Sequence, residues 1–215
     1  MVNRDRGFVI ILSAPSGAGK STLASLLVQS VPGLRISVST TTRAPRAGEQ
    51  AGVAYHFVDQ ATFRDRMEQG NFLEWAEVFG NYYGTDRANV EPVLAQGDCV
   101  LLDIDWQGAR QVRAALAPLD VVSIAIFPPS QQALQERLSR RASDDAQVIA
   151  RRMAQAGEEV AHWQEYDYLL VNKDLAQAHQ QLVAIVTAES LRRERSRSVA
   201  QAVLASFVRP ESAAF

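Results

Sequence analysis

Cysteine is almost missing from this 215-residue chain. Cys99 stands alone, which excludes an intramolecular disulfide framework and fits a reducing compartment. Long hydrophobic runs are missing too: no stretch approaches the roughly 20 apolar residues needed to cross a bilayer. The apolar run behind Arg4 and Arg6, Phe8–Leu12, is too short for a secretion signal, and Asp5 interrupts its basic flank. A net charge of −2 gives no global electrostatic case for nucleic acid or an anionic membrane. Internal repeats and low-complexity tracts are absent. What remains is an expected cytoplasmic, globular, single-domain protein, with 47% hydrophobic and 21% charged residues and ample length for a buried core. Within Cys99-Val100-Leu101-Leu102, Cys99 reads as a buried small hydrophobe.

Lysine is the scarcest charge, with two lysines against twenty arginines. One of them, Lys20, closes the run Ser13-Ala14-Pro15-Ser16-Gly17-Ala18-Gly19-Lys20-Ser21-Thr22, directly after the apolar strand Phe8–Leu12. Small residues let successive backbone N–H groups turn inward around a phosphate chain. The following helix aims its positive end at the anion, and Lys20 reaches the outer phosphates. Ser21 is placed to offer its hydroxyl to a Mg²⁺ that keeps most of its waters. The pattern departs from G-x-x-x-x-G-K-[ST] only at Ala14. A ligand-free strand–turn–helix would explain the glycines but neither Lys20 nor Ser21.

The runs Phe8–Leu12, Cys99–Ile104, Val121–Phe127 and Tyr168–Val171 are nearly continuous, as strands buried on both faces of a parallel sheet are. Helical patterns over Thr22–Ser30, over Ala88–Gln96 and from an N-cap at Ser130 separate them, so the core reads as α/β with right-handed crossovers. Two stretches fit that core poorly. Ser39–Gly84 carries short β-like pieces (Tyr55–Val58, Phe72–Phe79, Tyr82-Tyr83) and a helix near Gln60–Gln69, and reads as a small, mostly antiparallel insert. Arg137–Arg152 is polar and arginine-rich. Beyond it Ile149, Met153, Ala156, Val160 and Trp163 form a helical stripe, so the segment reads as a helix–loop–helix flap. The basic cluster Arg192–Arg197 reads as a solvated helix face.

A second anion site is expected in Thr41-Thr42-Arg43-Ala44-Pro45-Arg46-Ala47-Gly48-Glu49. Pro45 and Gly48 oppose helix, leaving a stiff loop with two guanidiniums, each able to bond two phosphate oxygens; Tyr55 and Tyr83 could add phenolic donors. The alternative is surface arginines in a turn. Asp103 and Asp105, two apart, are expected on one face at the carboxyl end of a buried strand, where open α/β sheets bind ligands. Asp103 suits the acidic position that organises Mg²⁺ waters. The alternative for either is to cap a neighbouring helix.

The run Thr41-Thr42-Arg43-x-x-Arg46-x-x-Glu49-x-x-Gly52-x-x-Tyr55-x-Phe57-Val58 resembles the signature of guanylate kinases. Phe72–Ala76, Asn81–Thr85, Leu102–Gly108 and Val171–Leu175 extend the resemblance over roughly Phe8 to Leu182. It implies a P-loop kinase of α/β class, with a parallel sheet core flanked by helices, a small mixed-β GMP-binding insert and a helical lid. The implied division is core 1–38, 85–129 and 166–215, insert 39–84 and lid 130–165. The implied reaction moves phosphate from ATP to GMP with Mg²⁺, giving ADP and GDP, with dGMP as a further acceptor. Residues Ala14–Thr22 would hold ATP, and Ser21 and Asp103, the latter through water, the metal.

By the same resemblance Arg43, Arg46, Tyr55 and Tyr83 hold the GMP phosphate, and Ser39, Glu74, Thr85 and Asp105 read the guanine. Arg141 and Arg152 close over the phosphates, and Asn172 lies near the adenine. The base chemistry agrees: guanine presents adjacent N1–H and N2 donors to a carboxylate such as Glu74, while adenine would set a lone pair against it. The chain departs from the family at Arg141-Ala142, where Arg-Gly is common, and in the stretch Asp144–Gln147. Two rival readings are a kinase of this fold acting on a sugar phosphate such as a ribose bisphosphate, and a non-catalytic guanylate-kinase-like interaction module. The module tends to lose the P-loop lysine that this chain keeps.

Overall fold

A computed structural model of the chain describes residues 6–78, 80–140 and 146–207, with side chains from 147 in the last segment. In chain order the elements are β1 (Val9–Ser13), α1 (Lys20–Ser30), β2 (Leu34–Ile36), β3 (Thr40–Thr41), β4 (His56–Phe57), α2 (Gln60–Glu68), β5 (Phe72–Val78), β6 (Asn81–Asp86), α3 (Arg87–Ala95), β7 (Cys99–Asp103), α4 (Trp106–Ala115), β8 (Val121–Phe127), α5 (Gln131–Ser139), α6 (Ala146–Ala161), β9 (Tyr168–Val171), α7 (Leu175–Ser190) and α8 (Arg197–Phe207). Among the described residues no helix is long and apolar enough to cross a membrane.

Five strands form an all-parallel sheet in the order β2-β7-β1-β8-β9, with Val9 in register with Val100 on one side and Val121 on the other. Both faces are covered. Phe8, Ile10 and Leu12 pack with Leu23 and Leu27 of α1 and Leu182 and Val186 of α7. Val9 and Ile11 pack on the opposite face with Val90 and Leu94 of α3 and Val112 of α4. This two-sided burial is why the strands carry continuous apolar runs. Cys99 is 1% exposed, as expected of a small core residue.

The second sheet has the order β4-β3-β6-β5, with β3–β4 parallel and β3–β6 and β5–β6 antiparallel. Phe63 of α2 stacks on Phe72 and Tyr82 at centroid distances of 4.5 and 5.4 Å, giving this sheet its own small core. Strand β5 is an edge, and Gln111 of α4 covers it: its amide oxygen accepts from Trp75 N–H at 3.1 Å and its nitrogen donates to Trp75 carbonyl at 2.9 Å. Those two bonds replace a missing strand neighbour and fasten the second sheet to the main one.

Several sequence expectations need correction. The edge strand β2 is not signalled, because two of its three residues are exposed and one is Arg35. Asp105 is not on the strand with Asp103: β7 ends at Asp103, and Asp105 is the N-cap of α4, its carboxylate accepting from Gly108 N–H at 2.9 Å. Trp163 is not part of the α6 stripe. The helix ends at Ala161, and Trp163 sits in a 3-10 turn, 45% exposed. Arg195 is not solvated: it is 6% exposed, pairs with Glu189 at 2.6 Å, donates to Leu119 carbonyl at 2.6 Å and lies over the Phe8 ring. Phe79, Arg141, Ala142 and Asp144–Asp145 lie outside the described residues.

Helix α6 lines an apolar cavity of about 320 Å³ with Phe127, Leu134, Met153, Ala156, Gly157 and Val160. A Cβ on Gly157 would meet nothing within 4 Å. Gly157→Ala is therefore expected to stabilise the fold by about 1 kcal/mol, through helix propensity alone. A calorimetric scan checks this as a rise of roughly 2–4 °C in Tm.

Candidate active site

The loop between β1 and α1 opens onto a cavity of about 340 Å³ lined by Ala14, Pro15, Ser16, Gly17, Gly19, Lys20, Ser21, Thr22 and Asp103. Gly19 caps α1 with φ of 98°, and a Cβ there would meet the Asn172 amide nitrogen at 2.5 Å. Only glycine satisfies both constraints. Asn172, 5% exposed at the end of β9, donates its side-chain amide to Ala18 carbonyl at 2.8 Å. Arg137 of α5 donates to the Asn172 carbonyl at 2.9 Å and to Ala18 carbonyl at 3.5 Å. The loop is thus braced through the Ala18 carbonyl. Neither bracing role was legible in the sequence, because both partners lie more than 110 residues away.

Lys20 points across the cavity at Asp103, 2.5 Å away. The strand order sets this meeting: β1 and β7 are neighbours, so the loop after one and the acidic end of the other share a rim. Ser21 and Thr22 are exposed on the first turn of α1. An all-oxygen donor set of one hydroxyl and one carboxylate suits Mg²⁺, which favours few protein ligands and several waters. Among the described residues no three carboxylate, imidazole or thiolate groups converge, so an ion held here would rely on phosphate and water oxygens.

The second cluster is built by the mixed sheet. Glu74 on β5 stands directly opposite Thr85 on β6, and the Thr85 hydroxyl donates to it at 2.6 Å. Glu74 is 6% exposed; burial, with the nearby Asp105 charge, pushes its carboxyl up to about 7. Gly108 of α4 approaches so closely that a Cβ there would lie 3.0 Å from the Glu74 carboxylate. Strands β5 and β6 and the start of α4 therefore bring Glu74, Thr85 and Asp105 together. Ser39 precedes β3, and its carbonyl accepts from His56 N–H at 2.9 Å.

Arg43 lies over the Tyr55 ring at 5.3 Å, and Tyr55 and Tyr83 meet edge-on at 5.9 Å. Glu49 grips Arg43 through both carboxylate oxygens, at 2.8 and 3.0 Å, and also accepts from Arg46 N–H at 2.8 Å. The Arg43 guanidinium beside it holds the Glu49 carboxyl below its usual range. Glu49 was visible as a motif position, but its task of aiming Arg43 is read only from the fold. The Arg46 side chain is exposed beside this group, and Arg152 sits half-buried on α6.

The guanylate kinase family profile matches residues 6–189. Guanylate kinase from Gluconobacter oxydans (strain 621H) is 52% identical over 204 residues, 95% of this chain and 97% of that protein. Guanylate kinase from Rhodopseudomonas palustris (strain HaA2) is 53% identical over 190 residues, 88% of this chain and 86% of that one. The crystal structure of guanylate kinase from Anaplasma phagocytophilum superposes with a TM-score of 0.73 and 36% identity, covering 89% of this chain and 90% of that chain. With a braced phosphate loop and a buried acidic cluster, and with matches of this extent, the chain belongs to the guanylate kinase family.

Proposed function

We propose that the chain transfers the γ-phosphoryl group of ATP to GMP or dGMP, with residues 39–84 as GMP-binding insert, 130–165 as lid and the rest as core. The observation that carries the base assignment is Glu74, a nearly buried carboxylate that accepts from the Thr85 hydroxyl. When ionised it accepts from guanine N1–H and the N2 amino group together. Thr85 and Ser39 supply donors for O6, and Asp105 supports the same edge. Adenine would meet Glu74 lone pair to lone pair in a dry site.

Arg43, with Tyr55, Tyr83 and Arg46, holds the GMP phosphate. The loop Ala14–Thr22 cradles ATP, Lys20 turns from Asp103 to the outer phosphates, Asn172 stands by the adenine, and Arg141 and Arg152 close from the lid. Mg²⁺, held by Ser21 and through water by Asp103, would neutralise phosphate charge when bound. No general base is needed, since the acceptor phosphate, with a second pKa near ~6, is largely dianionic at neutral pH. The chain's own residues align two repelling anions, neutralise the migrating group and exclude water. A place in purine nucleotide metabolism and a cytoplasmic setting belong to the same reading.

The test is ADP release from ATP·Mg²⁺ with GMP, dGMP, AMP, CMP, UMP, dTMP or a ribose bisphosphate as acceptor. Fast turnover confined to the guanine nucleotides supports the assignment, and preference for the sugar phosphate overturns it. Glu49→Ala is expected to raise KM for GMP about tenfold with a smaller change in kcat, because Arg43 loses the fork that aims it. Steady-state kinetics with GMP varied at saturating ATP checks this, and an unchanged KM would refute it.

A further inference from the structure

Helix α4 meets a different part of the molecule on each of three sides. Ala109 and Val112 are buried in the main core. On a second side, Gly108 lies against the Glu74 carboxylate and Gln111 bonds the edge of β5, so this side serves residues 39–84. Trp106 and Arg110, four apart and so one above the other, fall on the far side by helical spacing. They meet His162–Glu165, the turn where α6 ends and the proposed lid returns to the core.

The contact is close and carries its own charge balance. The Trp106 ring stacks on the His162 imidazole, with centroids 3.7 Å apart and planes 22° from parallel. Arg110 lies over the Trp106 ring at 4.6 Å. Its Nε and Nη2 each donate to Glu165 at 2.6 Å, and His162 Nδ1 lies 2.8 Å from the same carboxylate. The Arg110 fork holds the Glu165 carboxyl down at about 2, so the pair stays ionised at neutral pH. A two-pronged guanidinium stacked on a ring keeps a fixed shape that an ordinary surface pair lacks. The Arg110 and Glu165 side chains are 52% and 28% exposed, so replacing either spares the core. Neither takes part in the substrate contacts proposed above.

We propose that Arg110 is a positioning residue that ties the root of the lid to α4, so that GMP bound on one side of α4 favours ATP binding on the other. GMP docked on Glu74, Thr85 and Asp105 touches both the insert and the N-cap of α4. It fixes the first turn of that helix and, through Trp106 and Arg110, the end of α6. Less ordering is left for ATP to accomplish, which is positive coupling between the two substrates. Without the fork each substrate still finds its own site, and the coupling is lost. This inference rests on the assignment of Glu74 and Asp105 to guanine and of residues 130–165 to the lid.

The experiment is a calorimetric Kd for GMP, alone and with a saturating non-hydrolysable ATP analogue and Mg²⁺, in wild type, Arg110→Ala and Glu165→Ala. Wild type is expected to bind GMP at least about fivefold more tightly with the analogue present. In Arg110→Ala that ratio is expected to fall to about twofold or less, with Kd for GMP alone within about twofold of wild type. Glu165→Ala removes the same fork from the lid side and is expected to match it. The reciprocal titration, analogue with and without GMP, must return the same ratio. A merely structural role would weaken both Kd values or lower Tm and leave the ratio standing, which overturns the proposal. A wild type without coupling, or a ratio kept in either variant, overturns it too. If Arg110→Ala does not fold, Glu165→Ala decides alone. A wild type that binds the analogue but no GMP would instead sink the guanine assignment, whatever Arg110 does.

Discussion

Lys20→Ala is expected to lower turnover by roughly 10²–10³-fold while the protein stays folded. The side chain is a point charge on a flexible stem, aimed over a cavity whose remaining lining is small residues, hydroxyls and one carboxylate. Within that lining no other cation is present to take its place. The loss falls on kcat, since charge moving between two phosphates is stabilised most in the transition state. Stability is spared because the Lys20–Asp103 pair is partly exposed, at 21% and 34%, and pairs of that kind contribute about 0–1 kcal/mol. Lys20→Arg is not expected to rescue, because a planar fork does not reproduce a compact ammonium. ADP-release rates set beside thermal unfolding check both halves. Near-normal turnover would remove Lys20 from the site, and a collapsed Tm would make its role structural.

The parallel core was legible because physics leaves it little freedom. Val121–Phe127 and Tyr168–Val171 match their strands to the residue, since burial on both faces forces a continuous apolar run. Ser130 caps α5 as expected, accepting from Ala133 N–H at 3.1 Å. Edges were harder. Strand β2 needs only Leu34 inside, and a three-residue element with one buried position carries no period. Arg195 misled for a different reason: its charge is neutralised by Glu189, and a buried ion pair looks in sequence like two surface residues.

In the candidate site, the phosphate loop and the arginine–tyrosine group were legible because each lies within one short run. The pairing of Glu74 with Thr85 was not, since it depends on register across β5 and β6 and on a bulge between Phe72 and Glu74. Gly108 shows the same limit. A glycine in the first turn of a helix reads as a local weakness until the Glu74 carboxylate is found 3.0 Å from where its Cβ would be. Gln111 and Asn172 act through partners 36 and 154 residues away, so only the fold gives them a task.

Glu74→Gln is expected to reduce kcat/KM for GMP by roughly 10²–10³-fold and to change the pH dependence of what remains. The carboxyl is raised from 4.5 to about 7 by burial first, and the Asp105 charge adds to it. Guanine's two donors need the ionised form. As pH falls from 7 to 6 the carboxylate fraction drops about fivefold, so KM for GMP rises by that factor in the wild type. Protonation of the GMP phosphate near pH ~6 acts in the same direction and persists in the Gln variant, so the difference between the two profiles isolates Glu74. Stability runs the other way. A carboxyl raised on folding favours its neutral form, so the Glu74 contribution to stability is fully present below pH 4.5, is lost as pH rises through about 7 and then levels. Replacing it by an uncharged isostere is therefore expected to raise Tm at pH 8, by an amount set by a penalty on the order of 3 kcal/mol. The variant's amide can donate to adenine N1, so its preference for GMP over AMP should narrow as well. A variant that keeps GMP kcat/KM within about threefold, or that loses stability at pH 8, would show that Glu74 is not a buried anion kept for the base.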